Sequence, residues 1–321
     1  MVDTSPRPSP QGEGEEERMP NLKDIKSRIN SVQNTKKITK AMKMVAAAKV
    51  KKAELTVKAA RPFSDELLHL FRKMLGTVNE YSKQGLRVER ALDNYPELIT
   101  PRKVKAEGLL VMTSNKGLAG AYNANVVKAA FRRIKENKEN GIKTYIYPVG
   151  QKAISVFKQK QNGDFILKKG YVAIANNPTA TGATIIAEDL AADFVGGELD
   201  SIDIITTHFN NMMSYNVVAW EILPVKVEKA EEHEIDPLMT FEPSPHAVLK
   251  QLVPMYITNS IYQALLEANA SELASRMTAM SAASNNAEEM ITALTVDYNK
   301  ARQWAITQEL VEIVSGASSV N

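Results

Sequence analysis

Residues Leu266 to Gln308 read LEANASELASRMTAMSAASNNAEEMITALTVDYNKARQWAITQ and carry the most regular pattern in this chain. Small or apolar side chains recur there at alternating spacings of three and four residues, and a repeat of this kind predicts a coiled coil. Many of the repeated residues are Ala or Ser, which allow two helices to approach closely. We call these positions the C-terminal seam: Leu266, Ala270, Leu273, Met277, Met280, Ser284, Ala287, Ile291, Leu294, Tyr298, Ala301, Ala305 and Gln308.

The helix that carries this seam is predicted to be long. No Gly or Pro occurs from Met255 to Ser315, and at 1.5 Å per residue these roughly 60 residues would span about 90 Å. Helices of ordinary globular domains have only three or four turns. Gly316 follows directly and suits the end of the helix.

A second long helix is predicted near the start of the chain, since no Gly or Pro occurs from Asn21 to Arg61 and Pro20 suits a first helical turn. Between the two parts of its apolar face the register slips, with Thr35 filling the seam, and such a slip overwinds a coiled coil locally. The two long helices have only each other as obvious partners, so we expect them to pair. The apolar positions are Leu22, Ile25, Ile29 and Val32, then Ile38, Met42 and Val45.

The middle of the chain alternates between strand-like and helix-like segments, which predicts a Rossmann-like α/β domain with a largely parallel sheet. Its last two strands can pair as a hairpin around a turn at Asn210 to Ser214. The predicted strands are Glu107–Thr113, Lys143–Val149, Tyr171–Ala175, Ile202–His208 and Val217–Leu223. The predicted helices lie near Tyr122–Asn137, Gln151–Lys160 and Thr184–Val195.

The fold class is therefore an α/β domain inserted between two long terminal helices that pair as a coiled coil. The expected divisions are an extension at 1–18, a shaft helix at 19–80, a linker at 81–106, the α/β domain at 107–228, a linker at 229–247 and a second shaft helix at 248–321. Residues 1–18 are rich in Pro, Gly, Ser and Glu, a composition typical of disorder. They are either a flexible tail or an upstream extension, in which case Met19 is the true start.

Charge is distributed unequally between the two helices, although the whole chain carries only +3. Asn21 to Arg61 holds 12 basic and two acidic residues, and Met255 to Ser315 holds three basic and seven acidic ones. Opposite charges favour pairing, but each exposed pair contributes only about 0–1 kcal/mol. The excess positive charge is either a solvated face or a surface for an acidic partner. Nucleic acid is a poor fit because no aromatic residue lies between Lys23 and Lys58.

Residues that carry chemistry are few. The chain has no cysteine, and no Ser-His-Asp set or HExxH motif can be proposed. The loop Thr113 to Ala121, TSNKGLAGA, lies where a phosphate can bind, but it lacks the phosphate-binding spacing and suits an ordinary strand-to-helix turn. We therefore predict no cofactor, no metal and a mechanical role. The four histidines are scattered singly: His69, His208, His233 and His246.

Both ends of the chain resemble the γ subunits of F-type ATP synthases. The matching blocks are NLKDIKSRINSVQNTKKITKAMKMVAAAKVKKAE at Asn21 to Glu54 and ASELASRMTAMSAASNNAEEMITALTVDYNKARQWAITQELVEIVSGASSV at Ala270 to Val320. The middle is similar more loosely, through TSNKGLAGAYNANV and ELDSIDIITTHFNNMMS. The chain departs from the family where Asn115-Lys116 replaces the usual Asp-Arg and Ala119-Gly120 a frequent Cys-Gly.

The resemblance implies a non-catalytic central rotor. In the family, the two terminal helices form an antiparallel coiled coil inside a ring of three α and three β subunits, while the globular part carries the ε subunit and rests on the membrane ring of c subunits. It implies a peripheral protein on the cytoplasmic face of the bacterial inner membrane, and it leaves proton and sodium coupling open. Two other readings stay open: a coiled-coil adaptor with an α/β head, and an enzyme whose α/β domain binds a nucleotide. Only an enzyme would turn over substrate alone.

The resemblance also suggests three groups of contact residues. The first is a basic surface facing the β subunits: Lys36, Lys37, Lys40 and Lys43, with Met42 on their apolar side. The second is a polar cluster facing loops of the α or β subunits near the end of the chain: Arg302, Gln303, Thr307 and Glu309. The third is a c-ring or ε contact in the hairpin turn, or else a plain exposed turn: Asn211, Ser214 and Tyr215.

Overall fold

The computed structural model describes residues 21–83, 98, 102–161, 163–225, 242 and 245–318. The predictions for residues 1–18, and for most of the linkers at 81–106 and 229–247, lie outside this range. The chain forms two compact units. Unit 1 contains the described residues up to Thr39 and those from Ala282 onward, and unit 2 runs from Lys40 to Ser281.

A mixed sheet lies in unit 2, and its strand order is β3-β2-β1-β4-β5. Strands β1 to β4 run parallel and β5 pairs antiparallel with β4, which confirms the predicted parallel sheet and hairpin. The elements are α1 (Leu22–Lys83), β1 (Ala106–Met112), α2 (Tyr122–Glu139), β2 (Lys143–Val149), α3 (Gln151–Gln159), β3 (Ile166–Leu167), α4 (Ala173–Asn176), α5 (Ala180–Val195), β4 (Ser201–Asn211), β5 (Ser214–Leu223) and α6 (Pro245–Ser318).

Helices cover both faces of the sheet. One face packs against α2 and α3 through residues such as Val126 and Phe157. The other packs against α5, the C-terminal part of α1 and the N-terminal part of α6, with Phe71 and Ile257 in its core. The two long helices are thus part of the core of the α/β domain and do not merely flank it.

The strand predicted at Tyr171–Ala175 is wrong. The third strand is the two-residue β3, and α4 occupies most of the predicted segment. Only Tyr171 pairs with β2, as a single bridge to Val149. Helix α3 begins directly after Val149, since the Gly150 carbonyl already accepts the helical hydrogen bond of Ile154. Strand β2 therefore ends at Val149 and offers no further residues with which the segment after Tyr171 could pair.

The two long helices run past the ends of their Gly- and Pro-free segments, and each reaches three residues beyond its predicted division, to Lys83 and to Pro245. Helix α1 runs on through Pro62, and α6 begins at Pro245 and continues through Pro254. Buried side chains such as Met74 and Val253 lie beyond these prolines, so tertiary packing outweighs the loss of helical hydrogen bonds. The expectation that Gly316 ends the last helix is wrong, because α6 reaches Ser318 and Gly316 lacks the positive φ of a helix-ending glycine.

The C-terminal seam is confirmed at every position except Gln308, which is exposed; all the other members are buried or half-buried. The predicted position of the slip in α1 is wrong, because Thr35, Ile38 and Val45 are exposed. The covered positions run instead through Lys36, Thr39 and Met42, so the two consecutive spacings of three lie there. Apolar patterning misses Lys36 and Thr39 because both residues are polar. Lysine is tolerated in a seam because its aliphatic stem can pack there while its ammonium reaches a carboxylate.

Candidate coupling surfaces

The helix pair within unit 2 is antiparallel. Lys43 Nζ donates to Ser281 Oγ at 2.9 Å, while further along α1 Asn259 Nδ2 donates to Ser64 Oγ at 2.9 Å. As the residue number rises on α1, that of its partner on α6 therefore falls. Between these contacts the helices share a buried apolar cluster: Val50, Val57, Leu266, Ala270, Leu273 and Ala274.

The β4–β5 hairpin is held against this helix pair. Phe209, only 2% exposed, joins the apolar cluster. Arg61 of α1 donates to the Phe209 carbonyl oxygen at 2.9 Å and to Glu267 Oε1 of α6 at 3.2 Å. His208 Nδ1 also contacts Glu267. One carboxylate of α6 thus connects α1 and β4, so the sheet and the helix pair of unit 2 are bound together.

The predicted basic residues divide into two kinds. Lys36 forms an ion pair with Glu288 at 3.0 Å inside unit 1, and Lys43 bonds to Ser281 inside unit 2, so both serve the helix pair. Lys37 and Lys40 are exposed and form no ion pair within the described part of the chain. Met42 is half-buried, in agreement with its expected position on the apolar side.

The end of α6 extends past its partner helix. If the register of the Lys36–Glu288 pair is continued to Leu22, the first residue of α1, about residue 302 lies opposite it. From Gln303 to Ile313 every residue except the half-buried Ala305 is exposed. No described residue of unit 1 covers this stretch, which we call the helix tip.

The helix tip contains three members of the predicted polar cluster, with the fourth, Arg302, directly before it, and it also carries apolar side chains that sequence reasoning missed. Arg302, Gln303, Thr307 and Glu309 are all exposed, and Thr307 Oγ1 donates to the Gln303 carbonyl oxygen at 2.9 Å. Five large apolar side chains on the tip are at least half exposed: Trp304, Ile306, Leu310, Val311 and Ile313. The three-and-four spacing selects residues on only one face of a helix. The apolar residues of the helix tip lie on several faces, and that distribution is the sequence feature that could have revealed them.

The hairpin turn is closed by its own side chain. Asn211 Oδ1 accepts from the backbone N–H groups of Met213 at 2.8 Å and Ser214 at 3.0 Å, a turn typical of Asn. Tyr215 is half-buried, and its hydroxyl accepts from Asn125 Nδ2 at 3.3 Å. Asn211, Met213 and Ser214 are therefore the residues of this turn that project, and Met213 is 87% exposed.

The loop from Thr113 to Ala121 is fastened to α6. Ser275 Oγ donates to the Ala119 carbonyl oxygen at 2.7 Å, and Arg276 Nη2 donates to the Gly117 carbonyl oxygen at 3.2 Å. Gly120 has a φ of +53°, and a Cβ there would lie 3.1 Å from Ser275 Oγ. Glycine is thus required by both the backbone conformation and the close approach of the helix.

The described residues contain no group of three or more His, Asp or Glu side chains that could hold a metal ion. Among the same residues, no helix is both long enough and apolar enough to cross a membrane.

Known proteins match the chain over almost its whole length. The family model described as ATP synthase matches residues 21–320. The ATP synthase gamma chain of Picosynechococcus sp. is 40% identical, with 94% of this chain and all of that protein covered. The gamma chain of Nostoc punctiforme is 41% identical with the same coverage.

Solved structures agree with these relatives. The chain is similar to a chain in the central stalk and c-ring structure of the Tetrahymena thermophila mitochondrial ATP synthase, with a TM-score of 0.55 and 30% identity over 77% of this chain and 99% of that one. A chain of the Euglena gracilis mitochondrial ATP synthase has a TM-score of 0.61 over 93% of this chain and 94% of that one. At 19% identity the second likeness shows the fold alone.

Proposed function

This chain belongs to the ATP synthase gamma chain family, and we propose that it turns as the central shaft of the enzyme without a catalytic site of its own. Its partners in this proposal are three α and three β subunits around the shaft, an ε subunit and the c ring. Rotation would couple ion flow through the c ring to nucleotide binding at the β subunits. The orientation of the shaft would then link the ion path in the c ring to the nucleotide sites of the β subunits. The shaft would lie on the cytoplasmic face of the membrane, attached through its partners.

The helix tip carries this proposal. Leu310 and Ile313 are 57% and 67% exposed, although burying such side chains would each contribute about 1.5–3 kcal/mol. A group of exposed large apolar side chains of this kind marks a contact with another protein. Because apolar residues lie on several faces of the tip, a partner that surrounds the helix fits better than one that lies along one side. A ring of α and β subunits has that form.

The polar cluster fits the same position. Polar side chains enclosed by a protein ring need hydrogen-bond partners, and the guanidinium of Arg302 can bind a carboxylate through two parallel bonds. We propose that Arg302 and Gln303, with Thr307 and Glu309, bond to loops of the α or β subunits in some shaft orientations and not in others. Such bonds would give different energies to different rotary positions.

Lys37 and Lys40 support a second contact with the ring. Their side chains are exposed on α1, and they are free to meet acidic loops of the β subunits. Lys36 and Lys43 support it less directly, because each already bonds to α6. In the complex we propose that Lys37 and Lys40 make the ionic contacts, while Lys36, Met42 and Lys43 hold α1 in place beneath them.

The hairpin residues Asn211, Ser214 and Tyr215 remain our proposed contact with the c ring or ε. One observation favours a different neighbour. Phe209, near the turn, packs against the part of α1 around Val50, whereas the strands behind it pack against Phe71. The turn therefore lies at the end of unit 2 from which α1 continues toward Lys40, and a loop of an α or β subunit is the alternative partner.

Co-expression of the full chain with α and β subunits tests the shaft proposal. We expect one stable complex that hydrolyses ATP, and no ATP turnover by the chain alone. Three variants distinguish a specific contact of the helix tip from non-specific association. Leu310→Asp and Ile313→Asp on the helix tip should each weaken assembly or coupling, while the control Glu289→Lys, at an exposed position of α6, should not. Turnover by the isolated chain would support the enzyme reading, and a stable chain that never joins the α and β subunits would support an adaptor.

A further inference from the structure

A groove of about 690 Å³ lies in unit 2 between α1, α6 and the loop that follows β1. We call it the basic groove. Four cationic side chains line it from three separate elements: Lys49 and Lys52 on α1, Lys116 on the loop and Arg276 on α6. Glu272 is the acidic residue in the lining, so the groove has an excess of three positive charges.

The position of the groove is one that α/β proteins use for ligands. Ser114, two residues after the end of β1, is part of its lining. Strand β1 lies between β2 and β4 in the sheet, so the chain leaves β1 toward one side and later returns on the other. Crevices outside the carboxyl ends of strands at such a switch point are the usual ligand sites of open α/β sheets. The volume is also within the range of about 300–1,000 Å³ for small-molecule sites.

The cations converge on one buried carboxylate. Glu272 is only 7% exposed and forms an ion pair with Arg276. Burial raises the pKa of Glu272, while the charges of Arg276, Lys49 and Lys116 act in the opposite direction. Lys49 and Lys116 are therefore within electrostatic reach of the same carboxylate, yet the side-chain ammonium of neither forms an ion pair or a hydrogen bond within the described part of the chain. One carboxylate does not neutralise the cations around it.

Part of the groove lining is apolar. Ala41, Met42 and Val45 contribute to it from α1. The loop beside the cationic part contains Leu118, which is exposed and has a φ of 63°. A left-handed backbone is strained for a leucine, and such strain is concentrated at ligand sites and switches.

We propose that the basic groove binds a small molecule that carries a diphosphate group, with the phosphates held by Lys49, Lys116 and Arg276 and an apolar or ring portion lying against Met42. A diphosphate fits because its several charges match cations that arrive from three directions, whereas a single carboxylate would leave most of them unneutralised. Arg276 keeps donors for this purpose, since a guanidinium has five N–H groups and the bonds to Glu272 and Gly117 occupy only part of them.

Calorimetric titration of the full chain tests this site, with magnesium-free pyrophosphate and magnesium-free ADP as probes and inorganic phosphate as the weaker reference. We expect saturable binding of one pyrophosphate per chain. Tighter binding of ADP than of pyrophosphate would show that the apolar part of the groove is used; equal affinities would show a site for the diphosphate alone. Both results support the proposal. Absence of saturable binding of either probe up to millimolar concentrations would overturn it.

Variants place the binding in the groove. Lys49→Ala and Lys116→Ala should each weaken pyrophosphate roughly tenfold, the usual effect of losing one charge-assisted contact. Lys51→Ala is the matched control, because Lys51 is exposed on α1 but does not line the groove. Glu272→Gln should act in the opposite direction and tighten binding, provided that thermal unfolding shows it folded. If Lys51→Ala weakens binding as much as the groove variants, the attraction is a general charge effect and the site does not exist.

The complex with α and β subunits distinguishes the small molecule from an acidic protein segment. If the groove takes a diphosphate, Lys116→Ala should reduce pyrophosphate binding in the complex and leave assembly unchanged. If a partner's acidic segment fills the groove, the assembled complex should show no pyrophosphate site while Lys116→Ala weakens assembly. That second result would overturn the proposal.

Discussion

Replacing Arg302 by alanine separates the effect of this side chain on the shaft from its effect on the assembled enzyme. In the chain itself Arg302 is exposed and forms no ion pair with a described residue. Changes at such surface positions usually alter the free energy of unfolding by less than about 0.5 kcal/mol. We therefore expect the Arg302→Ala chain to melt at the normal temperature and to assemble with its partners.

The loss should appear in the enzyme. A hydrogen bond to a charged group contributes about 1.5–3 kcal/mol, and each 1.4 kcal/mol is a factor of ten. If Arg302 makes this bond in only one rotary position, its removal should slow the step that leaves or reaches that position roughly tenfold or more. Arg302→Lys keeps the charge but cannot form the two parallel bonds, so it should lie between the wild type and Arg302→Ala.

The assay is ATP synthesis by membrane vesicles that contain the reconstituted enzyme and are driven by an imposed ion gradient. Lys300→Ala is the control, because Lys300 is exposed on α6 two residues before Arg302. A normal synthesis rate in Arg302→Ala would refute the reasoning and leave the polar cluster as a solvated helix end. An equal loss in Lys300→Ala would show that any positive charge near the tip matters, which would refute the specific bond.

Four other outcomes are expected. Reversing Lys37 and Lys40 to Glu should lower ATP-driven ion pumping severalfold without lowering the melting temperature, and unchanged pumping would count against their contact with the β subunits. Phe209→Ala should lower the free energy of unfolding by about 3–5 kcal/mol in denaturant titrations, and a loss below about 1 kcal/mol would show that the hairpin does not depend on its apolar contact. A cysteine at Ser214 should cross-link to c subunits or ε, whereas cross-links only to α or β subunits would place the hairpin turn against the ring of α and β subunits. A chain without residues 1–18 should assemble and support ATP hydrolysis normally, and failure to assemble would assign the extension a role.

Periodicity was sufficient to predict the paired helices and four of the five strands. The alternation of threes and fours in α6 identified every seam position that the structure buries or half-buries from Ala287 to Ala305. The segment Lys143–Val149 was predicted with both of its ends correct. These signals are local, because they depend on one element burying one face.

Polar residues inside the seam could not be found in this way. Lys36 and Thr39 occupy positions that the spacing reserves for α1's buried face, but their residue types suggest solvent. Only the position of Glu288 on the other helix shows why Lys36 is acceptable there. The candidate surface changes as a result, because Lys36 and Lys43 bond to α6, whereas Lys37 and Lys40 form no ion pair within the described part of the chain.

The sequence by itself determined the two long helices, the α/β character of the middle and the family. The helices and the α/β domain follow from residue spacings, and the family follows from matching sequence blocks; both kinds of signal come from residues that are close together along the chain. The tertiary structure alone decided which lysines remain exposed, that the helix tip extends past α1, and that Lys49, Lys116 and Arg276 surround one carboxylate. Those three cations lie far apart in sequence and on three different elements. Their convergence depends on the packing of α1 and α6 against the carboxyl edge of the sheet. That packing brings together residues that are distant in sequence, so it cannot be predicted from local sequence patterns.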